Sequence, residues 1–179
     1  MGEKFEIEIS VESIDISKVL SCFKEQDLCR IFSIDNWNYE NETEILSDCD
    51  LNFILDTGKI VQVYSENLRN GIFFEKEKHN YRCSLFFECT DDFSDKTILS
   101  YKDQVSDLVI KHFAQYGILY AAFGCEMLIS EDKELFAKIS NSHNVYMWLT
   151  SDKFFPLPGY EYIKKDSYTL FIKKEGQTK

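Results

Sequence analysis

Hydrophobic and polar positions alternate strictly near the start of the chain. Phe5, Ile7 and Ile9 fall on one side and Glu6 and Glu8 on the other, the period of two that marks a half-buried strand over 5–9. The period then lengthens. Asp15 precedes Ile16, Val19, Leu20 and Phe23, whose i, i+3, i+4, i+7 spacing makes one apolar helical stripe behind an N-cap residue. A second strand is expected over 28–34, and 35–50 turns polar and acidic without any sustained period, as a surface loop does. Residues 51–55 and 60–64 flank Asp56-Thr57-Gly58-Lys59, and 72–74 and 81–89 flank Lys78-His79-Asn80. Read as two hairpins, these runs predict an antiparallel meander of four strands.

The clearest helix follows at 100–117. Ser100 and Asp103 stand at capping-box spacing, Val105, Leu108, Val109, His112, Phe113 and Tyr116 share one face, and Gly117 is placed as a C-cap. Beyond it the pattern predicts a buried strand over 118–123, a helix over 130–139 with Leu135, Phe136 and Ile139 inward, and a strand over 145–149. A hairpin joins 160–163 to 168–172, and the stiff loop at 154–159 carries both prolines, Pro156 and Pro158. The expected class is therefore α+β, with antiparallel sheet and two or three packed helices. A strand-then-helix order begins near Phe5 and again near Tyr81, which is compatible with a duplicated β-α-β-β plan, although the residues do not repeat. The half boundary near Asn70 and Gly71 lacks linker composition, so residues 1–179 are expected to form a single compact domain with a fraying tail at 175–179.

Composition narrows the class of function. A hydrophobic fraction of 44% with 15% aromatic residues excludes an intrinsically disordered chain. Thirty-one acids against 20 bases leave a net charge of −11, which repels phosphate backbones and anionic membranes and attracts cationic partners. No direct nucleic-acid or membrane partner is expected. The charged start, Met1 to Ser10, has no apolar signal core, no apolar stretch reaches the ~18 residues of a membrane span, and Gly2 lacks the hydroxyl residue of a myristoylation signal. A cytoplasmic location is expected, with Cys22, Cys29, Cys49, Cys83, Cys89 and Cys125 as reduced thiols, and with Cys22, Cys83 and Cys125 buried in apolar runs.

Catalytic and cofactor chemistry leaves little trace. There is no Cys-x-x-Cys, His-x-x-x-His or His-Glu-x-x-His spacing and no clustered glycine loop, so no metal, no cofactor and no catalytic residue is assigned. Cys125 and His143 are the available nucleophile and base, but with six cysteines and three histidines such a pair arises by chance, and an inert buried Cys125 is the expectation. His112 reads as a core histidine and His79 as a solvated one. Asp91, Asp92 and Asp95 could ligate a divalent cation, yet acids ahead of a helix more often complement its dipole.

One segment remains. Trp37 and Tyr39 stand among Glu40, Glu42, Glu44, Asp48 and Asp50, and exposed aromatics within an acidic rim suit the anchoring of a basic partner, although the rings could equally fold back over a sheet edge. In overall character (acidity, modest size, no catalytic motif, an aromatic-acidic loop) the chain resembles the immunity proteins with which bacteria neutralise cationic nuclease toxins. That resemblance implies a protein-binding inhibitor whose carboxylates stand in for substrate phosphates, with a basic toxin or nuclease as partner, acting as a monomer or homodimer. Two alternatives stay open: a small hydrolase built from scattered carboxylates with Cys125 and His143, and a homodimeric regulatory or structural protein joined through a sheet edge.

Overall fold

In the computed structural model, which describes residues 4–24, 27–35, 39–45, 50–88, 99–151 and 156–174, a single antiparallel sheet organises the chain. Its strands are β1 (Lys4–Val11), β2 (Leu28–Asp35), β3 (Thr43–Glu44), β4 (Lys59–Ser65), β5 (Asn70–Lys76), β6 (Tyr81–Glu88), β7 (Ile118–Leu128), β8 (His143–Ser151), β9 (Tyr160–Lys165) and β10 (Tyr168–Lys173). They lie in the order β3-β2-β4-β5-β6-β1-β7-β8-β10-β9. Four α-helices accompany them among the described residues: α1 (Ile16–Cys22), α2 (Leu51–Asp56), α3 (Lys102–Phe113) and α4 (Leu135–Asn141).

The first strand of the chain ends in the middle of the sheet. β1 pairs with β6 on one side and β7 on the other, both antiparallel, so β6 and β7 run parallel to each other. Parallel strands need a crossover, and α3 lies on the connection between them. Gly71 lies within β5, so the expected half boundary falls inside a strand of the continuous sheet.

One face of the sheet carries the larger core. Phe5, Ile7, Ile9 and Val11 of β1 meet Val61, Val63, Ile72, Phe74, Leu85 and Phe123 there, beneath Ile16 and Val19 of α1, Leu51 and Leu55 of α2, and Val109 and Phe113 of α3. A smaller cluster occupies the C-terminal half of the other face. Tyr120, Ala122, Val145, Trp148 and Phe171 pack there with Ile139 of α4 and with Leu157.

Several elements differ from the sequence reading. The run 51–55 is helix α2, so the meander has three strands, β4-β5-β6. Asp50 caps the helix, its carboxylate accepting from the N–H groups of Asn52 and Phe53 at 3.0 and 3.2 Å. Gly58 follows the helix at φ +86, in the left-handed region that a glycine adopts without a Cβ clash. Within six residues a helical i, i+4 pair, Leu51 and Leu55, is hard to tell from a β-rich run, which is why the period misled. In α3 the N-cap is Tyr101, without a side-chain capping bond, and the inward face is rotated. Ser106 is buried, its hydroxyl donating to the Lys102 carbonyl at 2.7 Å, whereas Leu108 is 38% exposed. Gly117 does cap the turn after α3.

Helix α4 begins only at Leu135. Ser130 closes a local turn instead, its hydroxyl donating to the Asp132 carboxylate at 2.8 Å, and Phe136 faces outward at 47% exposure. Cys22 is exposed at the end of α1, its Sγ donating to the Lys18 carbonyl, although its apolar run suggested burial. Cys29 is also exposed, Cys83 and Cys125 are buried, and all four are free thiols. Cys49 and Cys89 lie outside the described residues.

Candidate functional site

The acidic segment singled out by sequence is described only in part. Trp37 and Asp48 lie outside the described residues, and Tyr39 opens a single 3-10 turn, Tyr39–Asn41. Glu40, Glu42 and Glu44 are exposed, with Glu44 on the two-residue edge strand β3 opposite Phe32 of β2. Asp50 is exposed as well, but its carboxylate is engaged in capping α2. Asp91, Asp92 and Asp95 lie outside the described residues, and among the described ones no group of three or more His, Cys, Asp or Glu could hold a metal ion. The ladder does not set the thiol and imidazole opposite each other. His143 is exposed and pairs with Leu128, whereas Cys125 is buried and pairs with Phe5 of β1. His79 is exposed in the β5–β6 turn, and His112 is half-buried with its ring 6.1 Å from Phe23; desolvation and the neighbouring Lys111 hold its pKa below the ordinary value.

A second constellation lies on the sheet face opposite the main core. Residues paired across a sheet point to the same side, and the register runs Glu44–Phe32–Gln62–Phe73–Ser84–Glu8 from the edge to the centre. The neighbouring rows add Tyr64, Gly71, Phe86 and Glu6 on one side and Glu75, Arg82 and Ser10 on the other. All of these but Glu44, Phe32, Gly71 and Ser10 line a cavity of about 330 Å³. All of its lining residues belong to β1, β4, β5, β6 and β7, apart from Leu68 in the turn between β4 and β5.

Its walls are aromatic and its rim is charged. Tyr64, Phe73 and Phe86 form a triangle with ring centroids 5.1–5.8 Å apart, and Phe32 extends it at 6.1 Å from Tyr64. Tilted and edge-to-face packing of this kind holds the rings in a fixed arrangement. The Tyr64 hydroxyl donates to Gln62 Oε1 at 2.5 Å, which orients an otherwise buried amide. The Nζ of Lys4 lies 4.8 Å from the Phe86 ring centroid. At the centre, Arg82 is clasped by three carboxylates: it hydrogen-bonds Glu75, and its nitrogens approach Glu77 at 3.9 Å and Glu8 at 4.0 Å.

Glu8 is the least comfortable of these groups. Burial raises its pKa above the ordinary carboxylate value, against the opposing pull of Arg82 and of the Tyr120 hydroxyl, which donates to Glu8 Oε1 at 2.9 Å. Tyr120 is itself pushed up by burial and by the charge of Glu8. Desolvation works against the charge on Arg82, but the hydrogen bond to Glu75 and the fields of Glu8, Glu75 and Glu77 outweigh it and hold the guanidinium's pKa above its ordinary value. Glu6 is fixed by the Met127 N–H, which donates to its Oε2 at 3.0 Å. The lining contains neither cysteine nor histidine, and combines the carboxylates of Glu6, Glu8 and Glu75 and the cations of Lys4 and Arg82 with aromatic walls.

Sequence reasoning passed over this site because the alternation in β1 assigned Glu6 and Glu8 to solvent. The available signal lay in β4 and β6, where both alternate sets contain large apolar residues, Val61 and Val63 against Ile60 and Tyr64, and Cys83 and Leu85 against Phe86. A strand apolar on both faces is covered on both.

No family model and no curated protein matches this sequence. Among solved structures, the chain is similar to a T6SS protein of Pseudomonas aeruginosa at 10% identity and a TM-score of 0.46, covering 96% of this chain and 66% of that one. This chain thus spans just under two thirds of that protein's length. It is also similar to a chain in the structure of the toxic C-terminal tip of CdiA from Pseudomonas aeruginosa in complex with immune protein, at 18% identity and a TM-score of 0.39, covering 70% of this chain and 88% of that one. No helix among the described residues is long and apolar enough to cross a membrane.

Proposed function

We propose that this chain is an acidic protein-binding module, an inhibitor or immunity protein that neutralises a basic toxin or nuclease. The observation that carries the reading is the run of exposed carboxylates at Glu40, Glu42 and Glu44 at one edge of the sheet, of which Glu44 shares the cross-strand row of Gln62 and Phe73 in the strand-lined cavity. In a chain of net charge −11 such a rim steers cationic surfaces towards it, and the strand-lined cavity beside it offers a seat for a partner's side chain. Trp37 and Tyr39 are the proposed anchors, with Glu40, Glu42, Glu44, Asp48 and Asp50 as the rim, in a chain of one domain that needs no cofactor and acts in the cytoplasm.

The test is capture of a partner from the host followed by assay of what is captured. A basic protein whose toxic or nuclease activity is abolished by a stoichiometric amount of this chain supports the reading. Undiminished activity in the presence of excess chain rejects it.

A further inference from the structure

Resting on that reading, we infer that the strand-lined cavity is the central pocket of the interface and receives a basic side chain of the partner, arginine ahead of lysine, between the Tyr64–Phe73–Phe86 rings and the carboxylates of Glu6, Glu8 and Glu75. Three features of the cavity converge on a cation with a flat or apolar body. First, the volume of about 330 Å³ lies at the lower end of the range for small-ligand pockets, enough for one long side chain. Second, the charge is unbalanced in favour of cations. Glu6, Glu8 and Glu75 line the cavity against Lys4 and Arg82, and Arg82 is already shared with Glu77 as well. The desolvated carboxylate of Glu8 has a guanidinium at 4.0 Å, a tyrosine hydroxyl and the field of Lys138 to offset its burial, and burial still outweighs them. A second cation brought close to it relieves that deficit, whereas an anion worsens it.

Third, the chain places a cation of its own on the aromatic wall. The ammonium of Lys4, an exposed residue, lies over the Phe86 ring at 4.8 Å, within the range of a cation–π contact. It marks where a partner's charge gains from the ring quadrupole, and it competes for the same ring. A guanidinium suits the site better than an ammonium because it stacks flat on a ring while its edge hydrogen-bonds a carboxylate through two donors. Glu44 stands in the same cross-strand row as Gln62 and Phe73, so a partner seated here also meets the acidic edge.

The experiment titrates acetyl-Gly-Arg-Gly-amide, its Lys analogue and its Glu analogue into the isotopically labelled chain, following the Gln62 side-chain amide, the Arg82 Nε–H and the aromatic protons of Phe86 by NMR. The Arg peptide should shift these resonances, the Lys peptide should bind more weakly, and the Glu peptide should leave them in place. Lys4→Ala should tighten Arg-peptide binding about threefold by vacating the ring, with a thermal melt checking that the variant stays folded, and Glu8→Gln should weaken it several-fold. Binding of the Glu peptide at the same resonances, or an Arg-peptide affinity that falls on Lys4→Ala, overturns the pocket assignment. With a basic partner in hand, the two readings separate. Unchanged partner affinity for a Glu8→Gln, Glu75→Gln variant defeats the pocket and leaves the binder standing. An Arg peptide seated in the cavity of a chain that neutralises no basic protein upholds the pocket and defeats the inhibitor.

Discussion

The ring of Phe86 lies across the backbone of Gly71 on the neighbouring strand. A Cβ built on Gly71 would stand 2.3 Å from Phe86 Cζ and 3.0 Å from the Val63 carbonyl oxygen, so the third wall of the aromatic triangle occupies the space where any other residue has a side chain. Gly71→Ala should therefore displace Phe86, break its contacts with Tyr64 and Phe73, and destabilise the fold by about 1–3 kcal/mol, the usual cost of forcing extra volume into a packed site. Denaturant unfolding reads the loss. In a double-mutant cycle Phe86→Ala should cost less in the Gly71→Ala background than in the parent, and additive costs would show that the ring and the glycine are not coupled.

Glu8 should make the fold less stable as pH rises. A carboxyl whose folded pKa lies above its unfolded value keeps its full contribution below the unfolded value, about 4.5, and loses it as pH climbs through the folded value. The groups that face it are Arg82, Tyr120, Glu77 and Lys138, of which Arg82, Tyr120 and Lys138 favour its charge and Glu77 opposes it. Glu8→Gln keeps an acceptor for the Tyr120 hydroxyl and removes the charge. The variant should be more stable than the parent at neutral pH, with the difference shrinking as pH falls towards 4.5. A difference that grows on acidification, measured by unfolding at a series of pH values, contradicts this account.

At Asp50 a structural role and a binding role can be separated. Asp50→Ala removes two capping bonds from α2 and should cost about 1 kcal/mol of stability, whereas Asp50→Asn retains an acceptor and should cost much less. Both remove the charge equally. If Asp50 also serves the rim, the two variants should slow association with a basic partner to the same extent despite their different stabilities. Stopped-flow association rates and thermal melts on both decide it.

Trp37 and the acidic rim should affect binding kinetics in different ways. Neutralising Glu40, Glu42 and Glu44 together should slow association and flatten its salt dependence, since rim charges act on encounter. Trp37→Ala should instead speed dissociation and cost about 2 kcal/mol or more, as truncation of a central aromatic anchor does. Surface plasmon resonance measures both. Unchanged affinity in both variants removes this segment from the interface.

The thiols should sort by position when the native protein is labelled. Cys22 and Cys29 are exposed and should be modified rapidly, whereas Cys83, whose ionisation burial strongly opposes, and Cys125 should react only on unfolding. Mass spectrometry of peptides from briefly labelled native protein checks the order. Rapid modification of Cys83 would mean that β6 opens far more readily than its central pairing implies.

Much of the element order is legible in the chain because it rests on local causes. The alternation at Phe5, Ile7 and Ile9, the Asp15 cap that accepts from the Lys18 N–H, the Gly117 stop after α3 and the turn of the β9–β10 hairpin each depend on a few neighbouring residues, and each appears where the pattern puts it. So does the α+β class with its antiparallel sheet. The net charge of −11 and the acidic run from Glu40 are likewise properties of the sequence itself. The arrangement around the cavity has other origins. The β4-β5-β6 meander aligns Gln62, Phe73 and Ser84, but Glu8 joins them only because β1 leaves its sequence neighbours and enters between β6 and β7, a choice made by long-range pairing that no local period encodes. The burial that raises the Glu8 pKa and the approach of Glu8 to Arg82 follow from that pairing, whereas the Glu75 and Glu77 carboxylates on Arg82 and the fit of Phe86 over Gly71 follow from the β5–β6 hairpin. Side-chain alternation states that Glu6 and Glu8 share a face, and only the neighbouring strands decide whether that face meets water or lines a pocket.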